Sequence, residues 1–276
     1  MKLLIIGNSH ADIFLGRGEK LEILTTERMY HRETNSGLDE WLQARVEPDT
    51  QILLCTNEVD IRGHYWRHYP RNPNVTIAEF VQVRVEWLHN FSQYLVDAYA
   101  GINRVVFWAP PPATANTNHN VHWPFVGSVP TRNKIIHEFN RQFARRINSQ
   151  VGMATGYYEH IDPVTYMPVD HMPTDGVHYD QSLADGFWTR LIEPALNGAN
   201  TIQQDATMLA MSDTFRMVAQ DTTRSELYDS WIRTRDLTSP AGFDHTTQYM
   251  GEHYSFVTIR DHEHRFPDEY TELGLA

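Results

Sequence analysis

Short apolar runs alternate with longer amphipathic segments through the first two thirds of the chain, and this alternation limits the fold more than any other feature. The apolar runs have strand length and lie at 2–7, 21–26, 51–56 and 104–110, with a weaker one near 153–161. Between them, apolar residues recur at helical spacing in 38–46, 76–98, 131–149 and 181–193. Strands that alternate with helices favour a parallel sheet covered on both faces. The sequence therefore predicts a three-layer α/β/α domain with a central, mostly parallel sheet.

The pattern changes at about residue 197. Residues 197–276 contain 13 Asp or Glu against 6 Arg, so they carry more than half of the net charge of −12. Helical spacing appears at 202–219 and again near 224–235, before an irregular stretch rich in Tyr, His and Phe. We therefore expect a domain at 1–196, whose last helix Pro194 ends, and an acidic C-terminal extension at 197–276. The extension is expected to pack on the domain or on a partner protein.

Charge and composition exclude several classes of protein. A net charge of −12 argues against nucleic acid as a partner. The single cysteine, Cys55, excludes an intrachain disulfide and a cysteine-based zinc site. The first apolar run ends after four residues, which is too short for a signal peptide, and no run approaches the roughly 18 apolar residues of a membrane helix. We expect a protein without membrane contact, in the cytoplasm or within a larger particle.

Polar residues that suit nucleophilic catalysis follow the predicted strands. Ser9 comes just after the first strand, and the segment DGVHYD places Asp175 and His178 before the last helix. A serine hydroxyl needs a histidine to accept its proton and a carboxylate to orient that histidine. Asn57, after the third strand, and Gly37, at the start of a helix, could donate to the oxyanion that forms on a carbonyl.

Four short blocks occur in a fixed order from residue 1 to about 196: Gly7-Asn8-Ser9, then Gly37, then Cys55-Thr56-Asn57-Glu58, and last Asp175-Gly176-Val177-His178. This order resembles the SGNH (GDSL-type) hydrolase family, in which Gly-Asp-Ser, a glycine, Gly-x-Asn-Asp and Asp-x-x-His follow successive elements. Two positions depart from the family pattern. Asn8 stands in place of the usual aspartate, and Cys55 in place of a glycine, where it could narrow the approach to Asn57.

The resemblance implies a flavodoxin-like SGNH hydrolase fold and a role for each matched residue. Ser9 would be the nucleophile, His178 its base and Asp175 the residue that orients His178. The oxyanion donors would be the Ser9 amide, Gly37 and Asn57. No metal ion or organic cofactor is implied.

Each residue also has a plain structural interpretation. Ser9 could cap a helix after the first strand, and Asp175 could cap the last helix. Asn57 and Gly37 could serve turn geometry. We interpret His10, next to Ser9, as a local hydrogen-bonding group.

Aromatic loops after the third and fourth strands are candidates for substrate binding. They carry Tyr65 and Trp66 in the first loop and His122 and Trp123 in the second, and flat side chains of this kind suit sugar rings. Packing against the C-terminal extension would explain them equally well. Arg62 could grip an anionic substrate group or pair with neighbouring carboxylates.

These observations lead to the prediction of a serine esterase. Its substrate is expected to be an O-acetyl or similar short acyl ester, carried by a small molecule or by a carbohydrate. An O-acyltransferase would use the same residues with a sugar hydroxyl in place of water. A non-catalytic structural or binding protein on this fold, for example in a virus particle, is the third interpretation.

Overall fold

A computed structural model describes residues 2–22, 36–56, 77–114, 129–169, 178–200, 202 and 205–211. Within these residues the central sheet has five strands: β1 (Lys2–Gly7), β2 (Glu19–Glu22), β3 (Thr50–Cys55), β4 (Ile102–Trp108) and β5 (Val151–Ala154). Their order is β2-β1-β3-β4-β5, and every neighbouring pair is parallel. This is the order of flavodoxin-like sheets, in which sites form beyond the carboxyl ends of the strands. The predicted parallel sheet is confirmed.

The longer helices of the described residues are α1 (Ser36–Gln43), α2 (Ile77–Ala98) and α3 (Val129–Ala144). A helical segment near 181–196 follows, built from a 3-10 turn (Gln181–Leu183), α4 (Ala184–Phe187), a π-helical turn (Trp188–Ile192) and α5 (Glu193–Leu196). Two other 3-10 turns cover Ser9–Phe14 and Tyr157–Glu159, and α6 covers 206–211. None of the described helices is both long and apolar enough to cross a membrane.

Alternate residues of the strands enter two separate apolar cores. Leu4 and Ile6 of β1 pack with α1, α2 and α3, whereas Ile5 between them packs with the Ser9–Phe14 turn and the 184–196 segment. This alternation follows from the pleat of a strand, since successive side chains point to opposite faces. The three-layer α/β/α architecture is therefore confirmed.

Several predicted boundaries were wrong. The strand predicted near 153–161 covers Val151–Ala154, the helix predicted at 131–149 ends at Ala144, and prolines lie close to two further ends. β4 ends at Trp108, before Pro110, because prolines lack the amide that a central strand needs. Pro194 does not end the last helix but lies in the first turn of α5, where a missing amide is tolerated.

The last helix instead ends at Leu196, where side chains from the sheet donate hydrogen bonds to its last carbonyls. Gln51 Nε2 donates to the carbonyl of Leu196 at 2.9 Å, and Arg104 Nε donates to that of Ala195 at 2.6 Å. Gly198 follows with φ +95°, a left-handed conformation that favours glycine at a helix end.

The described beginning of the C-terminal extension belongs to the larger of the two cores, which contains Leu4 and Ile6. Ile202, Met208 and Met211 are buried there, and the Tyr166 hydroxyl donates to the carbonyl of Met211 at 3.4 Å. The extension therefore packs on the domain in its first residues. The helix predicted near 224–235 and the end of the helix predicted at 202–219 lie outside the described residues.

Candidate active site

Ser9 stands at a sharp turn that begins where β1 ends. The Asn8 amide donates to the carbonyl of Cys55 at 3.2 Å, and the Asn8 Oδ1 accepts from the His10 amide at 3.0 Å. Asn8 thus caps the 3-10 turn that Ser9 opens, a role for which its short amide side chain is well suited. Ser9 is left exposed at the carboxyl edge of the sheet.

The turn requires glycine at position 7. A Cβ built on Gly7 would lie 2.8 Å from the Cβ of Cys55 and 2.5 Å from its carbonyl oxygen. Cys55 itself is fully buried, and burial raises the pKa of its thiol, so this side chain stays protonated and is not a rival nucleophile.

His178 is held by the residues that follow it. The ring of Tyr179 is buried among aromatic neighbours, with centroid distances of 4.7 Å to Phe187 and 5.9 Å to Trp108. Gly156 leaves room for these rings, since a Cβ there would lie 2.6 Å from Phe187 and 3.1 Å from the Tyr179 hydroxyl. Buried packing of this kind fixes the backbone beside His178.

Asp180 adds a cap to the same segment. Its Oδ1 accepts from the Ser182 amide at 2.8 Å and opens the 3-10 turn. Hydrogen bonds from the side chain and amide of Ser182 lower the pKa of the Asp180 carboxyl. His178 therefore precedes a backbone segment that is anchored by one ring and capped by one carboxylate.

The structure brings Ser9 and His178 together. The Ser9 Oγ lies 2.8 Å from the His178 Nε2, although 169 positions separate the two residues in sequence. That distance is a normal hydrogen bond, and the serine donates it when the proton of the neutral imidazole is on Nδ1. The pair has the geometry of a nucleophile and its general base.

A second histidine, whose part sequence reasoning missed, lies against this pair. The ring centroids of His10 and His178 are 4.7 Å apart with an interplanar angle of 46°, and His10 is only 8% exposed. The hydrogen bond to Asn8 uses the backbone amide of His10, and the ring packs on His178. The one signal in the sequence was its position directly after Ser9.

Two amides near the start of helical turns are available as donors. Within the described residues, the Ser9 amide has no hydrogen-bond acceptor. Gly37 is the second residue of α1, where amides have no acceptor inside the helix, and a Cβ there would meet nothing within 4 Å. Packing therefore does not explain the glycine at position 37.

The other candidate site residues lie outside the described residues. They are Asp175 of the triad, Asn57 of the oxyanion donors, and the substrate-binding candidates Arg62, Tyr65, Trp66, His122 and Trp123. Among the residues that the structure describes, no group of three or more His, Cys, Asp or Glu side chains could hold a metal ion.

Comparisons with known proteins give one distant likeness. No protein-family model and no curated protein matches the chain. Among solved structures, the chain is similar to the 2.00 Å crystal structure of a "putative acylhydrolase" from Bacteroides fragilis, with a TM-score of 0.38 and 14% identity over 71% of this chain and 86% of that chain. A likeness at this TM-score has no weight for function.

Proposed function

We propose that the protein is a serine acyl hydrolase in which Ser9 is the nucleophile and His178 the general base. The observation that carries the proposal is the 2.8 Å contact between Ser9 Oγ and His178 Nε2 at the carboxyl edge of a parallel sheet. The exposure of Ser9 supports it, since a substrate must reach the hydroxyl. The order of four sequence blocks that resembles the SGNH hydrolases supports it independently.

The reaction follows from this pair. Ser9 Oγ forms a bond to the ester carbonyl carbon while its proton passes to His178 Nε2, and the carbonyl oxygen becomes an oxyanion. Collapse of this intermediate breaks the bond to the leaving alcohol, which takes the proton from His178. Water then attacks the acyl-enzyme with His178 again as base, and the acid and free Ser9 are released.

The remaining roles in the proposal come from the resemblance and from the available amides. The Ser9 amide, the Gly37 amide and Asn57 would stabilise the oxyanion, and preorganised donors of this type contribute on the order of 10²–10³ in rate. Asp175 would hold the His178 Nδ1 proton in place. No metal ion enters this mechanism.

A short acyl ester, such as an O-acetyl group on a carbohydrate, is the substrate class that we propose. The support is the set of aromatic and histidine residues in the sequence that follows β3 and β4: Tyr65, Trp66, His122 and Trp123. Arg62, in the first of these sequence segments, would contact an anionic part of the substrate.

Hydrolysis of p-nitrophenyl acetate, together with labelling by a fluorophosphonate, tests the proposal. We expect hydrolysis and a single label on Ser9, both lost in Ser9→Ala and in His178→Ala. Ser149→Ala is the matched control, because Ser149 is an exposed serine whose carbonyl, not its side chain, accepts from Arg104.

Two outcomes would change the assignment. A folded protein that neither hydrolyses short esters nor takes the label would favour a structural or binding role. Transfer of the acetyl group to an added sugar, faster than its release to water, would favour an O-acyltransferase with the same residues.

A further inference from the structure

A hydrogen bond from a side chain to a backbone carbonyl connects the two segments that supply Ser9 and His178. Gln181 Nε2 donates to the carbonyl oxygen of Ile13 at 2.8 Å. Gln181 belongs to the 3-10 turn that follows His178, and Ile13 belongs to the 3-10 turn that Ser9 opens. The bond therefore joins the turn beside the base to the turn that carries the nucleophile.

A second contact joins the same two segments farther along. The guanidinium of Arg17 pairs with the carboxylate of Asp185, and its Cζ lies 5.2 Å from the centroid of the Trp188 ring. Both side chains of the ion pair are exposed, and exposed pairs contribute at most about 1 kcal/mol. This contact alone would hold the segments only loosely.

The two segments also share an apolar core, in which the Phe14 ring lies 5.3 Å and the Tyr179 ring 5.9 Å from the ring of Trp108. Apolar contacts of this kind are not directional, and each segment has its own backbone attachment to the fold. The Ser9 turn is fixed to β3 through the bond between the Asn8 amide and Cys55. The His178 segment is fixed through the Tyr179 ring, which packs on Phe187 and beside Gly156. A small shift of one attachment relative to the other would lengthen the 2.8 Å contact between Ser9 and His178.

We propose that Gln181 is a positioning residue, whose bond to the Ile13 carbonyl holds the His178 segment at hydrogen-bonding distance from Ser9. This role rests on the proposed hydrolase function. Reacting groups must be held within a fraction of an ångström, and a misplacement of about 1 Å costs on the order of 10²-fold in rate.

The exposure of Gln181 allows the role to be tested without unfolding the protein. Substitutions at exposed positions usually change stability by no more than about 0.5 kcal/mol. Gln181→Glu keeps the shape of the side chain but replaces the donor with an acceptor. Gln181→Met keeps the length and removes the polar group, whereas Gln181→Lys retains a donor.

Gln142→Met is the matched control. Gln142 Nε2 donates to the carbonyl of Ala78 at 3.0 Å, which is the same type of bond between α3 and α2. We expect kcat for p-nitrophenyl acetate to fall about 10- to 100-fold in Gln181→Glu and Gln181→Met, with KM within about twofold of the wild type. The rate of fluorophosphonate labelling at Ser9 should fall in parallel, and the melting temperature should not change.

The remaining variants separate positioning from a general effect. Gln181→Lys should keep most of the wild-type kcat, and Gln142→Met should keep all of it. Full activity in Gln181→Glu and Gln181→Met, in a wild-type background that hydrolyses the ester and is labelled at Ser9, would overturn the role of Gln181 and leave the hydrolase intact. A wild-type protein without hydrolysis or labelling would overturn the proposed function, and this inference with it.

Discussion

His137 of α3 and Tyr158, just after β5, share a hydrogen bond of 3.0 Å between the imidazole Nδ1 and the phenol oxygen. His137 is fully buried, and desolvation together with the charge of Arg141 lowers its pKa to about 3, from an ordinary value of 6.5. The folded protein therefore keeps this imidazole neutral at pH values at which the unfolded chain protonates it.

Stability should therefore fall as the pH drops below about 6.5. Between that value and about 3 the unfolded chain binds one more proton at this position, so the free energy of unfolding decreases by up to roughly 1.4 kcal/mol per pH unit. Urea unfolding at pH 7 and pH 5 measures the difference. In His137→Gln, which has no titrating group there, we expect a smaller loss, and an equal loss would contradict the assignment.

Gly7→Ala should destabilise the protein. The new methyl group would overlap the carbonyl and side chain of Cys55, which are fixed in a fully buried strand and cannot move aside. Overpacking of this type costs about 1–3 kcal/mol. Urea unfolding checks the value, and a variant as stable as the wild type would show that β1 and β3 can separate locally.

Gly37→Ala should behave in the opposite way. Nothing lies within 4 Å of the added methyl group, and alanine favours a helix over glycine by about 0.5–1 kcal/mol, so stability should be equal or higher. If the Gly37 amide faces the oxyanion, the methyl group will crowd the substrate and lower kcat/KM for p-nitrophenyl acetate. A stable variant with unchanged kcat/KM would remove Gly37 from the site.

His10→Ala should lower activity because the ring that packs on His178 is lost. We expect kcat to fall about 10-fold as the imidazole gains freedom to leave Ser9. His10→Phe keeps a flat ring at this position and should retain more activity. Steady-state kinetics of both variants provide the test, and equal losses would show that the nitrogen atoms of His10 matter more than its packing.

The sheet could be predicted from the sequence because strands such as β3 are buried on both faces, which leaves an unbroken apolar run from Ile52 to Cys55. The Ser9–His178 contact was also expected, although only the resemblance to a family indicated which histidine pairs with which serine. Chain order alone holds no information on a contact across 169 positions.

The parts that were not predicted depend on side-chain direction or on tertiary context. The contacts of His10 and Gln181 depend on the direction in which a ring or an amide points after the chain has turned, and neither residue has a distinctive spacing. Pro194 was expected to end a helix, yet the π-helical turn before it lets the backbone continue until Gln51 and Arg104 cap the carbonyls.

The burial of Met208 and Met211 in the larger core has a practical consequence for the design of truncated forms of this protein. A version cut after Leu196, where charge and pattern change, would remove Ile202, Met208 and Met211 from this core and the carbonyl that accepts from the Tyr166 hydroxyl. Such a fragment would expose apolar surface to water and would tend to self-associate. A shortened form should therefore retain at least residue 211.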